Sequence, residues 1–433
     1  MGRPVQRVAV LGTGARAGTF IDALTAGRYA AELVAIGDSN PGRLDYYQRR
    51  IGGDVVRFGP DELEAALRDT AATVLLVATP DATHAQYIER AVDAGVDVIV
   101  EKPLAVTAAQ TRQIAAAVER TGRSVRLAFN YRYAPRNTEV KRLLAAGTIG
   151  RVTAVHFEWL LDTAHGADYF RRWHREKDIS GGLLVHKSSH HFDLVNWWLA
   201  DRPTRVYASG GLRFYGEHGI VRDAGDDVRD RFDLTIDGDP SIRALYTDHA
   251  HHDGYTRNEN VFGPGITIED TVGLVVDYGS RTTLTYSLTA HSPYEGYRVA
   301  FTGTRGRIEL DVVERSAVLV DGHGHTVIDP SVIREASGHD PVRPRRDELR
   351  VQRHWESAVV HELPEVSGSH GGADPLLLDD LFGPAVAEPE LGRVSSHVDG
   401  IAAVAVGIAG NASLASGQAV DLAGLDLGIG FDR

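Results

Sequence analysis

Three histidines and a lysine fall within six residues, His186-Lys187-Ser188-Ser189-His190-His191, and Asp193 follows. Imidazole is the side chain best suited to take a hydroxyl proton near neutral pH. The run opens a Trp- and Leu-rich helical pattern, Ser189–Leu199. A helix N-terminus disfavours the imidazolium and so keeps such a base neutral. His190 and Asp193, three apart, share one face of its first turn. One histidine there would read as a cap or a packed side chain; the density of groups points to acid–base chemistry. Upstream, Glu101-Lys102-Pro103 closes a short apolar run. Lysine is informative here, because Lys102, Lys141, Lys177 and Lys187 are the only lysines among 46 basic residues. Codon bias accounts for the arginine excess, yet arginine holds its proton where lysine can shift one.

A second chemical signal sits near the start. Gly12-Thr13-Gly14-Ala15-Arg16-Ala17 fits a G-x-G-x-x-A loop, and Asp38 ends the next apolar run. Glycines permit a tight turn and let backbone N–H groups approach a pyrophosphate at a helix N-terminus. A carboxylate at Asp38 would accept from an adenosine ribose hydroxyl and repel a 2′-phosphate, which favours NAD over NADP. Arg43 complicates that choice, since it can stack on adenine or reach a phosphate. Ala78-Thr79-Pro80-Asp81-Ala82-Thr83-His84 is a matching turn after another apolar run.

These groups need elements to carry them. Apolar runs at Val5–Leu11, Glu32–Ile36, Thr73–Ala78, Asp97–Val100 and Ser124–Ala128 alternate with helical patterns up to Leu24 and at Asp61–Leu67, His84–Ala94 and Thr107–Arg120. That alternation predicts a doubly wound parallel α/β sheet. Lys102 then lies at a carboxyl strand end, where such sheets bind ligands, and points to the nicotinamide side. Beyond Ile149 the period changes. Val152–Leu160, Thr204–Gly210, Asp230–Ile236, Ser241–Thr247, Thr271–Tyr278, Thr282–Leu288, Tyr297–Thr302 and Arg307–Val312 read as strands joined mainly by turns. They predict an α+β domain on a large, mostly antiparallel sheet with helices on one face. Residues 313–369 read as irregular, and Ser396–Ser416 as an Ala/Val-rich helix with Ser395 or Ser396 as N-cap. The expected division is 1–130, 131–395 with insertions near 248–262 and 313–375, and a closing segment 396–433.

Composition bounds the function. The 433 residues carry 46 Lys+Arg and 59 Asp+Glu, a net charge of −13, which argues against a nucleic-acid binder. Cysteine is absent, which removes disulfides, thiolate catalysis and thiolate zinc sites. No apolar run in the sequence pattern suggests a membrane span, and the N-terminus enters a strand at once, so the expectation is a cytoplasmic protein. The spacing of His186, His249, His251 and His370 matches no metal motif, and no metal is expected.

The glycine loop, Asp38, Thr79-Pro80, Glu101-Lys102-Pro103, the Gly181-Gly182…His helix, Tyr294-Glu295-Gly296 and Gly303-Thr-Arg-Gly306 together resemble the Gfo/Idh/MocA oxidoreductases, over about residues 5–310 and 396–416. The resemblance implies a Rossmann domain, a C-terminal sheet used for contacts in a homo-oligomer (dimer or tetramer), and hydride transfer between NAD and a sugar or cyclitol hydroxyl. It implies catalysis by Lys102 and His190, with His186 standing where the family has an Asp. Cofactor contacts are expected from Gly12, Gly14, Ala15, Arg16, Asp38, Arg43, Thr79, Pro80, His84, Glu101 and Lys102. Substrate contacts are expected from Tyr131, Arg132, Trp173, Lys187, His186, Asp193 and His370. The long form with a His-Lys-Ser-Ser-His-His helix suggests oxidation at the third carbon of a glycoside. The His-rich segment Asp248–Phe262 and the stretch Ser369–Asp374 read as lids over a substrate larger than a monosaccharide, at least one of them reaching the Lys102–His190 cleft. Two other functions remain open. One is a glycoside-cleaving enzyme that uses transient oxidation and elimination, with His186 or Tyr131 as second base. The other is a non-catalytic NAD-binding regulator, against which the presence of both Lys102 and His190 argues.

Overall fold

The computed structural model describes residues 5–219, 231–232, 240–320, 340, 342–364, 370–384 and 387–431. Short runs of β-branched and leucine residues make six strands: β1 (Gln6–Leu11), β2 (Ala31–Gly37), β3 (Val56–Phe58), β4 (Val74–Val77), β5 (Asp97–Val100) and β6 (Val125–Leu127). They lie parallel in the order β6-β5-β4-β1-β2-β3, and Ser395–Ser396 adds a short antiparallel bridge beyond β6. Helices cover both faces, which is why β4 is buried at every position. The strand order reverses between β1 and β4, and a crevice opens at such a switch point.

The second sheet carries β7 (Val152–Asp162), β8 (Pro203–Gly211), β9 (Thr271–Tyr278), β10 (Thr283–Ser292), β11 (Glu295–Gly303), β12 (Gly306–Arg315), β13 (Arg346–Arg353) and β14 (Val359–His361). Its order is β14-β13-β12-β11-β7-β10-β9-β8, with Val420–Asp421 beyond β8. All neighbours are antiparallel except β7 and β10. Alternation sets its faces: Leu284, Tyr286, Leu288 and Ala290 of β10 are buried, while Thr285 and Ser287 lie on the other side. Helices Ser189–Leu199 and His397–Ser416 pack together, the second against β8. The latter helix is long and apolar enough to cross a membrane by composition. It is instead mostly a core helix, with Ile401–Val406 buried and Asp399 accepting from the Ser396 N–H and hydroxyl at its start.

Three expectations need correction. Ser241–Thr247 is not a strand: Pro240–Leu245 is helical and Thr247–His252 forms a 3₁₀ turn. Pro240 suits a first helical turn, and Ile242, Leu245 and Tyr246 follow the three-to-four spacing of one helical face. Part of 313–369 is ordered as β13 and the three-residue β14; β13 was hidden because charges occupy most of Arg346–Arg353. Only Leu349 and Val351 face the core, paired with Leu310 and Ile308. Ala373–Phe382 is a further helix. The expected strand Asp230–Ile236 lies almost wholly outside the described residues.

Candidate active site

Gly12 ends β1 with φ +90°, and a Cβ there would lie 2.6 Å from the Ala78 carbonyl at the end of β4. Only glycine lets these strand ends approach so closely. The loop then turns into helix Ala15–Thr25. Asp38, 8% exposed, accepts from the Thr13 N–H (2.7 Å) and hydroxyl (2.9 Å), the Asn40 N–H (2.8 Å) and the Arg43 guanidinium (3.2 Å). Arg43 is shared with Asp253 at 2.5 Å. Two carboxylates thus neutralise the cation that a 2′-phosphate would need.

The segment 240–257 crosses this loop. The Ala15 N–H donates to the Tyr246 hydroxyl (2.7 Å), Asn40 donates to the His249 carbonyl (3.0 Å), and the His249 ring covers Gly42. Its end returns to the second domain, where Arg257 lies 3.4 Å from Asp168 and over the Tyr246 ring. The loop tip therefore covers the cofactor loop, while the end of the segment runs back beside Asp168. The second segment reaches the same side: Asp374 accepts from Arg16 (3.2 Å) and from Asn130 (2.8 Å). Arg16 also donates to Glu101 at 2.6 Å. His370 precedes this helix in a 3₁₀ turn, and its side chain lies outside the described residues.

These residues fit a dinucleotide. The glycine cradle leaves room for a backbone approach, and the Tyr246 hydroxyl is an acceptor at an N–H that faces a pyrophosphate in such loops.

Chemistry gathers at the carboxyl ends of β4 and β5. The Lys102 ammonium lies 3.2 Å from His186 Nε2, and His186 Nδ1 lies 2.5 Å from Asp81. Asp81 begins the turn after β4, and His186 ends a four-residue helix, Leu183–His186. Gly181 and Gly182, both at positive φ, make the sharp entry to that helix; a Cβ on Gly182 would crowd Glu269 at 2.8 Å. Burial lowers the Lys102 pKa to about 8, against the opposing pull of Asp81. Burial also holds His186 well below the usual range, and Lys102 adds to that shift. Asp81 is pushed up by burial and drawn down by Lys102. Asp81 belongs to the turn after β4, and only the fold joins it to His186.

His190 stacks on Tyr131 with ring centroids 4.3 Å apart, and Tyr131 lies against Trp159. Lys187 sits 3.3 Å from the Tyr131 hydroxyl and over the Trp159 ring. His191 is bonded to Tyr286 (2.7 Å) and stacked on Trp159, a packed core position. Trp173, partly exposed, meets His186 edge-on at 5.8 Å.

Three expected contacts belong to the scaffold. Arg132 and Asp193 form a buried two-bonded pair (2.8 and 2.5 Å) that also engages Asp399 of the last helix. Arg132 also donates to the Gly392 carbonyl (3.0 Å), so its guanidinium is spent on contacts within the fold. His84 places its ring nitrogens 2.7 Å from the Pro103 carbonyl and 2.9 Å from that of Thr79. It ties the two strand-end turns together from within, with no exposed surface to offer a cofactor. Thr79 accepts from the Thr83 hydroxyl, and Pro80 caps the turn that carries Asp81. Among the described residues no group of three His, Asp or Glu is arranged to hold a metal. A concavity of about 510 Å³ also lies on the open face of the second sheet, lined by His156, Glu158, Arg298 and Asp311.

A glycine loop at a switch point, with a lysine and histidines at the neighbouring strand ends, defines a nicotinamide-dependent oxidoreductase. Family comparison agrees: residues 6–129 match the NAD-binding Rossmann fold of the GFO_IDH_MocA oxidoreductase family, and 141–422 match its C-terminal alpha/beta domain. The chain belongs to the Gfo/Idh/MocA oxidoreductase family, and NAD is its cofactor. It is 33% identical over 371 residues to "Putative oxidoreductase YteT" of Bacillus subtilis, covering 81% of this chain and 82% of that one. It is also 33% identical to inositol 2-dehydrogenase 1 of Saccharopolyspora erythraea, over 46% of this chain and 56% of that protein. An aldose-aldose oxidoreductase structure from Caulobacter crescentus shares the fold, with TM-score 0.64 and 17% identity over 97% of this chain and 100% of that one.

Proposed function

We propose that the protein oxidises a secondary ring hydroxyl of a sugar or glycoside, acting at the third carbon when the substrate is a glycoside. The observation that carries this reading is the Lys102–His186 contact at the carboxyl ends of β4 and β5, with His190 on the neighbouring helix. Bound NAD supplies the hydride acceptor. His190 takes the hydroxyl proton, and the Lys102 ammonium faces the oxygen as negative charge develops on it. Trp173, stacked on His174 at 3.7 Å and partly exposed beside His186, is the aromatic surface for the C–H side of a sugar ring. The inositol dehydrogenase relatives support a ring polyol of this kind. A substrate domain over 131–395, a closing segment 396–433, and a dimer or tetramer built on the open sheet face complete the proposal.

The elimination reading takes second place on chemical grounds. His186 is engaged on both ring nitrogens, and burial holds the Tyr131 hydroxyl far above the range in which it would act as a base. Assay of a panel of free sugars and glycosides for formation of reduced nicotinamide tests the proposal. Product without any change in nicotinamide absorbance would favour elimination.

A further inference from the structure

Asp81 in the turn after β4, His186 at the end of helix Leu183–His186 and Lys102 in the loop after β5 meet at one point. Asp81 is 3% exposed and His186 is 7% exposed, so neither contact is a chance surface pairing. The His186 ring is held on its faces and edges by Tyr169 (5.6 Å), Trp173 (5.8 Å) and His174 (4.3 Å). Its plane is therefore fixed by packing, and what remains to be set is which nitrogen carries the proton.

We propose that Asp81 is a positioning residue: it fixes His186 as the Nδ1–H tautomer, so that the Nε2 lone pair accepts from Lys102 and aims the ammonium at the substrate oxygen. A carboxylate accepts from Nδ1–H, and a neutral imidazole then presents an acceptor at its other nitrogen. An ammonium has three donors. One goes to His186 Nε2 at 3.2 Å, and the His186 carbonyl at 3.4 Å offers a second, longer contact. A flexible four-carbon side chain is thereby reduced to one direction, which is what orientation of a reacting group requires. The dyad deepens the dehydrogenase reading and rests on it for the identity of the oxygen that Lys102 faces.

The charges around the dyad give it a signature in pH. Burial lowers the Lys102 pKa, Asp81 and Glu101 raise it, and Lys187 and Arg16 lower it. On His186, burial, Lys102, His174, Arg172 and Lys187 all favour the neutral ring that the dyad needs. The ammonium is present below its pKa and lost above it, so activity falls on the alkaline side. Replacing Asp81 by Asn removes a raising charge, and the alkaline limb must move to lower pH.

The test compares unaltered protein with Asp81→Asn and Asp81→Ala over a range of pH, together with NAD binding. Expected are a fall in kcat of roughly tenfold or more, little change in KM or NAD affinity, and an alkaline limb displaced to lower pH. A residue that only supports the fold would lower yield or melting temperature and leave the limb in place. An unmoved limb with near-normal kcat overturns the dyad. If both variants fail to fold, ¹⁵N-histidine NMR of the unaltered protein decides, with His186 assigned through its contacts to the Trp173 and His174 rings. The Nδ1–H tautomer supports the proposal, and Nε2–H overturns it. Absence of any dehydrogenase activity in the unaltered protein would sink the functional reading instead, and the tautomer would still be read directly.

Discussion

Lys102 and His190 carry the proposed chemistry. Lys102→Ala and His190→Ala should each lower turnover by roughly 10²-fold or more, while NAD still binds; near-normal turnover in either variant removes that residue from the mechanism. Lys102→Arg should fail as well, because a planar fork cannot replace a compact ammonium set against one imidazole nitrogen. With the Lys102 pKa lowered to about 8, the cation is complete below that value and lost above it. Turnover should accordingly decline through that region, and a profile still rising there would contradict a cationic role. Asp38 sets cofactor choice. Arg43 is already paired with Asp38 and Asp253, so NAD should bind more tightly than NADP, and Asp38→Ala should narrow the gap by freeing Arg43. Titrations that show NADP preferred by the unaltered protein would refute this.

Elements explain what was legible in advance and what was not. The glycine loop, Lys102 and His190 stand at strand or helix ends that local periodicity marks, so their neighbourhood could be read from the chain. Asp81 could not be joined to His186 that way, since 105 residues separate them. Arg132 adjoins Tyr131 and Asp193 follows His190 by three, a placement that by itself suggests substrate contact. Nothing local reveals that each has a full-strength partner 61 residues away. Removing one member of such a buried pair typically costs about 3–5 kcal/mol. Arg132→Ala should therefore lower thermal stability strongly, and a normally stable but inactive variant would return Arg132 to the substrate site. The helix Pro240–Leu245 is only six residues long, and so short an apolar run does not separate helix from strand by periodicity alone. Tyr246, which follows it, holds the Ala15 N–H with its hydroxyl. Removing that competing acceptor in Tyr246→Phe should tighten NAD binding by roughly two- to tenfold; calorimetry showing weaker binding would mean that the hydroxyl assists the cofactor.

The whole molecule sets one sheet beside another so that residues distant in sequence meet over the strand ends of the first. Segments 240–257 and 370–374 both reach back to the cofactor loop, through Tyr246 and Asp374. The net charge of −13 is no obstacle at the site, where Lys102, Lys187, Arg16 and Arg172 gather among the carboxylates. The central claim is that this assembly moves hydride from a ring carbon to NAD. The most direct measurement is the absorbance of reduced nicotinamide when purified protein and NAD meet free sugars and glycosides in turn. The account predicts that absorbance rises with at least one ring polyol, with glycosides preferred, and that the signal is lost in Lys102→Ala. A substrate consumed with no nicotinamide signal, or a signal that survives in Lys102→Ala, would contradict it.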